Sequence, residues 1–299
     1  MGLGDWKNVL RRTWDDLMRN HSMVIAAGLS YYFLMGLFPA LIALAAILAY
    51  IPVPNLFQST LDVMNKVFPA DSMGLVRQVV RDVITPNRGK LLSLGLAGAI
   101  WAVSTGFASL MEALNVAYDV PETRPYWKTR LLATWLSIQI GGLFLIALTA
   151  ILLGPEFGAW VAERTKLTWA FAIAWPYIRW TISVTAVVMA VGTMYFAGPN
   201  VKQRFRYTAV GAIFATVTWL GLSNLLGLYF HHVANLNHTY GALGGAVALM
   251  IWLQWTALIL LIGAEINSEI LKLSTHGEVP LKFERRALSR VKPGSEWAA

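Results

Sequence analysis

Charged residues at the ends of long apolar runs are the first places where this sequence can do chemistry. Glu112 and Glu265 each lie near such an end, and each is followed by an amide side chain, Asn115 or Asn267. Charges inside a bilayer are costly and therefore mark functional candidates. These carboxylates can bind a proton or a cation, or hold a gate by pairing with the basic side chains of residues 124–130. The alternative is local pairing close to the headgroups.

Arg179 interrupts the fourth apolar run, beside Trp175, Tyr177 and Trp180. If the guanidinium points into the protein, it can bind a phosphate or a carboxylate through two parallel hydrogen bonds. If it points outward, it reaches the headgroups among the interfacial aromatic rings at little cost. Both orientations stay open on the sequence.

Uncharged polar side chains also occur at membrane depth. Hydrogen bonds between helices are their usual role, worth about 0.6 kcal/mol each on average, and a polar cavity is the alternative. Together with Glu112, Asn115, Arg179, Glu265 and Asn267, they make up a candidate pathway for a substrate or an ion. The uncharged members of this pathway are Tyr31, Tyr32, Gln139, Asn224 and Gln254.

Signatures of catalysis and of metal binding are missing. His231, His232 and His238 lie in one turn, but that turn has no acidic residue, so we expect no zinc site there. The chain has no Cys, which excludes thiolate ligands and cysteine nucleophiles. Because the motifs of hydrolases, P-loop proteins and zinc proteases are absent as well, we expect neither an enzyme nor a cofactor.

The composition determines which elements position these residues. Apolar residues make up 57% of the chain and charged residues 13%, whereas soluble domains carry roughly 25% charged residues. The net charge of +8 is spread over short stretches between apolar runs, as in juxtamembrane segments. The sequence therefore predicts a polytopic membrane protein that binds no nucleic acid.

The lengths of the charge-free runs predict an all-α bundle with six membrane-spanning helices. A span needs about 20 helical residues. The run from Tyr207 to Ala264 has no charge and would be about 87 Å long as one helix, so it must fold back near residues 231–241. The predicted spans are about 23–51, 91–113, 131–153, 174–197, 208–230 and 241–266.

Segments outside the spans complete a membrane domain of residues 23–273. Residues 1–22 are predicted to form an amphipathic helix at the cytoplasmic interface, because apolar and charged residues alternate at helical spacing. Residues 52–90 are predicted to be helical and extracytoplasmic, and residues 274–299 a polar cytoplasmic tail. Since Lys and Arg are more numerous on the side that carries both termini, the positive-inside rule places the termini in the cytoplasm.

Four blocks of sequence resemble the YihY/BrkB family. The block at the end of the sixth span, with its G-A-E-I-N, is the most specific. The resemblance covers roughly residues 5–275. The blocks are AAGLSYYFLMGLFPALIAL (26–44), NVAYDVPETRPYWKTRLLA (115–133), GPNVKQRFRYTAVGAIFATVTWL (198–220) and YGALGGAVALMIWLQWTALILLIGAEINSEI (240–270).

The resemblance implies a six-helix protein of the bacterial inner membrane. Members of the family are called virulence factors, carry the misassigned older name ribonuclease BN, and are associated with envelope biogenesis and lipid movement. We therefore expect a transporter or translocation factor for an envelope lipid or another amphipathic anion, with membrane lipids and envelope proteins as candidate partners. The alternative is a membrane scaffold or assembly protein of envelope biogenesis without transport activity. Ribonuclease activity is not expected, and the oligomeric state stays open.

Overall fold

A computed structural model describes the chain over residues 3–49, 61–62, 64–65, 73–74, 77–78, 89–152, 168–232, 242–275 and 279–283. Long helices dominate these residues, and Val201 and Leu281 form an isolated antiparallel bridge. The long helices are α1 (Leu3–Arg19), α2 (Ser22–Ala49), α3 (Gly89–Ala117), α4 (Tyr126–Leu152), α5 (Thr168–Ala197), α6 (Phe205–His232) and α7 (Ala242–Ser274).

Helices α2 to α7 are each long and apolar enough to cross a membrane. This confirms the predicted all-α fold with six membrane-spanning helices and an amphipathic helix. The last helix continues to Ser274, past the predicted end of its span at residue 266. Most of the predicted segment 52–90, residue His238 and most of the tail 274–299 lie outside the described residues. The candidate crossing segments are Ser22–Leu41, Gly98–Ala117, Tyr126–Ile151, Ile173–Ala197, Phe205–Tyr229 and Gly244–Ser274.

The six spanning helices form a ring in chain order. Each packs on the next, and α7 closes the ring by packing on α2. Helix α7 also contacts α3, and α1 packs on α7 and α2. One end of the ring carries α1, the loops 118–125 and 198–204, and residues 279–283, and we call it the charged end.

The core of the bundle lies toward the charged end. Large side chains from four different helices, or from the residues just after them, are fully buried there. Because these side chains meet inside the ring, the charged end is tightly packed. They are Leu114, Tyr118, Leu136, Tyr195 and Leu261.

The opposite half of the ring is much less closed on its α5 and α6 side. No residue of α6 is buried from Val217 to Tyr229, and Ser183 is the one buried residue of α5 between residues 173 and 185. Helix α6 stays attached to α7, since Trp219 donates a hydrogen bond to Thr256. The positions of α6 that face inward here, among them Trp219 and Leu226, are half-buried against α7, so this half is packed less tightly than the charged end but is not fully open.

Helices α6 and α7 cross closely near the charged end. A Cβ atom at Gly211 would collide with the backbone carbonyl of Gly263 and would lie 2.5 Å from the side-chain nitrogen of Asn267. Glycine at both positions therefore allows the two backbones to approach, as small residues do in membrane bundles. This close approach holds Asn267 against α6.

Helix α1 has two apolar faces rather than one. Val9 is fully buried and packs with Ile266 and Ile270 of α7. A second apolar stripe points away from the bundle, and we call it the exposed stripe of α1. Its position next to the ends of spanning helices suits a membrane interface. The stripe consists of Trp6, Leu10, Trp14 and Met18.

Candidate functional site

The stretch of α7 just before its last turn is buried on every side. All residues from 264 to 271 are buried, because α7 contacts α1, α2, α3 and α6. This stretch includes Glu265, Asn267 and Glu269, and each has at most 2% of its surface exposed. Buried charges are costly unless they are paired, so their partners identify the site.

An ionic cluster surrounds this helix end. The Lys272 ammonium lies 2.7 Å from Glu269 and 2.9 Å from Asp119. It also lies 3.3 Å from Asp16 of α1. Arg19 lies 2.8 Å from Asp16 and 3.4 Å from Asp119. The cluster therefore joins α1, a residue just after α3, and α7. It consists of Asp16, Arg19, Asp119, Glu265, Glu269 and Lys272.

Glu265 lies at the deep side of the ionic cluster and has a neutral partner. Its Oε1 accepts a hydrogen bond of 2.9 Å from Asn20, whereas its Oε2 is buried and has no hydrogen-bond partner among the described residues. The same holds for Oε2 of Glu269, which lies 3.8 Å from the largely exposed Arg12. An open cleft of about 410 Å³ reaches Glu269 and Lys272 from outside.

Polar side chains continue from Glu265 toward α6. Asn267 accepts a hydrogen bond of 2.8 Å from the backbone N–H of Gly211. Tyr118 is fully buried and donates to Gln203 at 3.3 Å. Burial raises the pKa of the Tyr118 hydroxyl well above its ordinary value, and the nearby Glu265 carboxylate raises it further. The hydroxyl therefore stays protonated and acts as a donor.

A second group of contacts, the loop network, closes the charged end beside the ionic cluster. Arg124 is buried and binds Glu122 through two hydrogen bonds, of 2.8 and 2.6 Å. Asn115 donates to Glu122 at 2.8 Å and accepts from the backbone N–H of Asn200 at 2.8 Å. Asn200 in turn accepts a hydrogen bond of 3.0 Å from the backbone N–H of Phe283. The network thus connects both loops with residues 279–283.

Glu122 is held in its charged form by this network. Burial acts to raise the pKa of its carboxyl group, but the hydrogen bonds and the positive charge of Arg124 outweigh burial. The pKa of Glu122 is therefore below its ordinary value. Burial and the charge of Arg124 also lower the pKa of Lys282.

Asp119 occupies a strained position. Its φ of 53° is in the left-handed region, which favours glycine. The backbone N–H of Val120 bonds to Asn115 O, and that of Asp119 to Val116 O, both at 3.0 Å. This is a Schellman cap, in which glycine is the usual residue. A carboxylate is therefore kept here at a cost of order 1 kcal/mol, and its two ion pairs account for its presence.

A family model described as virulence factor BrkB matches residues 13–287 of the chain. The chain belongs to the BrkB family. A Bacillus subtilis relative described as ribonuclease-like, YfkH, is 34% identical over 243 residues, covering 81% of this chain and 88% of the relative. The UPF0761 membrane protein of Tolumonas auensis is 24% identical over 266 residues, covering 87% of this chain and 83% of the relative. No solved structure matches the chain.

The structure of this BrkB-family chain brings three of the predicted pathway residues together. Asn115, Glu265 and Asn267 all lie buried at the charged end. Glu112 is exposed on the flank of α3 and does not join them. The predicted partners of the two glutamates in residues 124–130 bind elsewhere: Arg130 donates to Thr105 at 3.0 Å.

The other predicted residues are distributed over the ring. Tyr31 and Tyr32 are exposed and stack edge to face with each other. Gln139 donates to Thr193 at 3.4 Å. The side chains of His231 and His232 lie outside the described part of the chain. Three further predicted residues lie on helices α5, α6 and α7, and all three are exposed or half-buried: Arg179, Asn224 and Gln254.

Sequence reasoning missed Asp16, Asp119, Glu122, Glu269 and Lys272. Two of them had a usable signal, since Glu269 and Lys272 follow Glu265 at spacings of four and seven and therefore share its helix face. The other three lie on α1 or after the end of α3. Asp16 and Asp119 acquire their role by folding back onto Lys272 of α7. Glu122 acquires its role by pairing with Arg124 and Asn115.

Proposed function

We propose that this membrane protein of the BrkB family moves an envelope lipid or another amphipathic anion. The observation that carries the proposal is the uneven packing of the ring. The charged end is tightly packed by the core, the ionic cluster and the loop network. In the opposite half, residues 217–229 of α6 and all of residues 173–185 of α5 except Ser183 are exposed or half-buried, and we call this the accessible half. A pathway closed at one end and open at the other is the arrangement expected of a transporter in one of its states.

Arg179 lies on α5 in the accessible half, where a substrate would enter. Its Nε is buried and has no hydrogen-bond partner among the residues described. Exposed rings of Tyr177 and Trp180 flank it. A guanidinium bordered by aromatic rings suits the anionic headgroup of an amphipathic molecule.

Transport by reconstituted protein tests the proposal. Purified protein in vesicles is expected to move a fluorescent anionic lipid, and Arg179→Ala is expected to slow this movement by about tenfold or more, the effect of losing one hydrogen bond to a charged group. Arg11→Ala is the matched control, because Arg11 is exposed on α1. Absence of lipid movement with well-folded protein would exclude the proposed function.

Access to the open half can be tested separately, since the chain has no native Cys. Single cysteines placed from Val217 to Tyr229 are expected to react with a water-soluble thiol reagent at helical spacing, on the face toward α5. Ala215→Cys on the same helix is the buried control. If no position from 217 to 229 reacted, the ring would be closed in this half and the pathway would be refuted.

For the orientation, we propose that the charged end faces the cytoplasm of a bacterial inner membrane. Several loop cations lie at this end, including Arg124 and Lys282, and positive loops remain in the cytoplasm. Reporter fusions to the C-terminus test this: a reporter active in the cytoplasm is expected to work, and a reporter active outside it is not.

A scaffold without transport activity is the second candidate, because the exposed stripe of α1 is a contiguous apolar surface. Such a surface can bind a partner protein as well as lipid. If Trp14→Ser removed a cellular phenotype while lipid movement in vesicles stayed unchanged, the scaffold would be the better description.

A further inference from the structure

The ionic cluster contains more negative than positive charge. Four carboxylates belong to it, and two cations, Arg19 and Lys272, lie within ion-pair distance of them inside the cluster. Arg12 approaches Glu269 to 3.8 Å, but 60% of its side chain is exposed. The carboxylates are Asp16, Asp119, Glu265 and Glu269.

The donors of Lys272 and of the neighbouring Asn20 are already used. An ammonium group has three N–H donors, and those of Lys272 are directed to Glu269, Asp119 and Asp16. The side-chain amide of Asn20 donates to Glu265 Oε1 and to a backbone carbonyl. No donor in the described cluster therefore reaches Oε2 of Glu265 or of Glu269.

A buried carboxylate oxygen without a donor is unfavourable because it has lost its hydration and gained no hydrogen bond in exchange, and a bound positive charge removes that cost. The described residues contain no group of three or more acidic, His or Cys side chains arranged to hold a metal ion. A proton needs one oxygen and no further ligands, so it fits this site better than a metal ion does.

We propose that Glu265 and Glu269 form a binding site for a proton that drives the movement of substrate. The proton comes from water in the cleft and forms an O–H bond with a carboxylate oxygen, which becomes neutral, and it returns to water when that bond breaks. Glu269 borders the cleft, and Glu265 lies one helical turn deeper, so the two carboxyl groups can bind the proton in succession. The coupling to substrate rests on the proposed function, whereas proton binding itself does not.

Neighbouring charged and titratable groups from three elements determine the pH at which the proton binds. They come from α1, from the residues after α3, and from α7 itself. The groups that face Glu265 and Glu269 are Arg12, Asp16 and Arg19, then Tyr118 and Asp119, then Lys272.

Labelling with an apolar carbodiimide tests proton binding, because this reagent modifies protonated carboxyl groups. The purified full-length protein is treated over a range of pH and the modified residues are located by mass spectrometry. We expect modification at Glu265 or Glu269 that is lost as the pH rises. Glu122 is the matched control, since its pairing with Arg124 keeps it ionised, and we expect it to remain unmodified.

Two results would overturn the inference. One is the absence of modification at both glutamates at every pH at which the protein stays folded. The other is protection of the glutamates by sodium at constant pH, which would assign the site to a metal cation. Because the wild-type protein gives both readings, neither depends on whether a variant folds.

Infrared difference spectra between acid and neutral pH give a second reading. The carbonyl band of a protonated carboxyl group is expected in the wild-type protein and lost in Glu265→Gln/Glu269→Gln, while Asp15→Asn, at an exposed position of α1, retains it. Lipid movement without this band would refute proton binding and leave the proposed function standing. The band without lipid movement would refute the proposed function and leave the proton site standing.

Discussion

Replacing Gly211 with Ala tests the closest contact in the bundle. The added methyl group would lie 2.5 Å from the Asn267 side chain, and it would collide with the Gly263 carbonyl, which is backbone and cannot rotate away. Ordinary contact begins at 3.4 Å, so relieving the Asn267 contact alone requires a shift of about 0.9 Å, the difference between the two distances. Overpacking of this kind costs about 1–3 kcal/mol.

Two further effects change the free energy of unfolding of this variant. The shift also lengthens the hydrogen bond of 2.8 Å from Gly211 N–H to Asn267, worth about 1 kcal/mol. Alanine gains about 1 kcal/mol over glycine in helix propensity, which offsets this loss. The expected net effect of Gly211→Ala is therefore a loss of about 1–3 kcal/mol in the free energy of unfolding.

The assay is thermal unfolding in detergent, followed by tryptophan fluorescence. Gly221→Ala is the matched control on the same helix, because nothing lies within 4 Å of a Cβ atom there. The control is expected to unfold at the wild-type temperature or above it, and Gly211→Ala clearly below. Equal unfolding temperatures for the two variants would show that α6 and α7 do not cross at Gly211 as described.

Three further changes probe the charged end. Glu122→Gln leaves Arg124 buried without its counterion, and we expect a loss of about 3–5 kcal/mol in unfolding experiments. Because the folded pKa of Glu122 is depressed, the stability it adds is present above its unfolded pKa and lost as the pH falls through the folded pKa. The unfolding temperature of the wild type should therefore drop below about pH 4.5, whereas the variant should lack this component. Asp119→Asn keeps a residue that tolerates positive φ but removes the charge, so we expect weaker lipid movement with an unfolding temperature within a few degrees of wild type; an unchanged transport rate would exclude a role for this carboxylate. Asn200→Ala removes the side-chain contacts to residues 279–283, so limited proteolysis should cleave the tail faster, and an unchanged rate would show that other contacts hold it.

The six spanning helices could be predicted because length and hydrophobicity determine them directly. The side of each helix that faces inward could not be predicted. Glu112 and Asn115 lie on one helix at nearly the same depth, yet the first is exposed and the second is buried. Spanning helices are apolar on all sides, so the sequence pattern carries little information about which face is buried. Lipid-facing and protein-facing surfaces look alike in such a sequence.

The last helix extends beyond its predicted membrane span for a related reason. The sequence predicts that the span ends at about residue 266, because charges such as Glu265 are rare in hydrocarbon. In the structure the helix continues to Ser274, and the charges that follow Glu265 are covered by α1 and by Asp119. That protection comes from segments far apart in the chain, with Asp16 separated from Lys272 by most of the sequence. A local sequence pattern cannot predict a contact between residues so far apart in the chain.

Stability alone does not explain why the charged end is closed by carboxylates. Apolar residues of similar size commonly replace buried ion pairs without loss of stability, and often with a gain. Glu265 and Glu269 instead retain oxygens without donors, and Asp119 keeps a backbone conformation that glycine would adopt without cost. Apolar packing at this end would be insensitive to protons, whereas carboxylates change charge when they bind one. If both glutamates become neutral, Lys272 loses one of its three partners and the attraction that holds α1 to α7 weakens. In the proposed mechanism, the charged end responds to a proton gradient, and the accessible half between α5 and α6 is where the substrate would respond to that change.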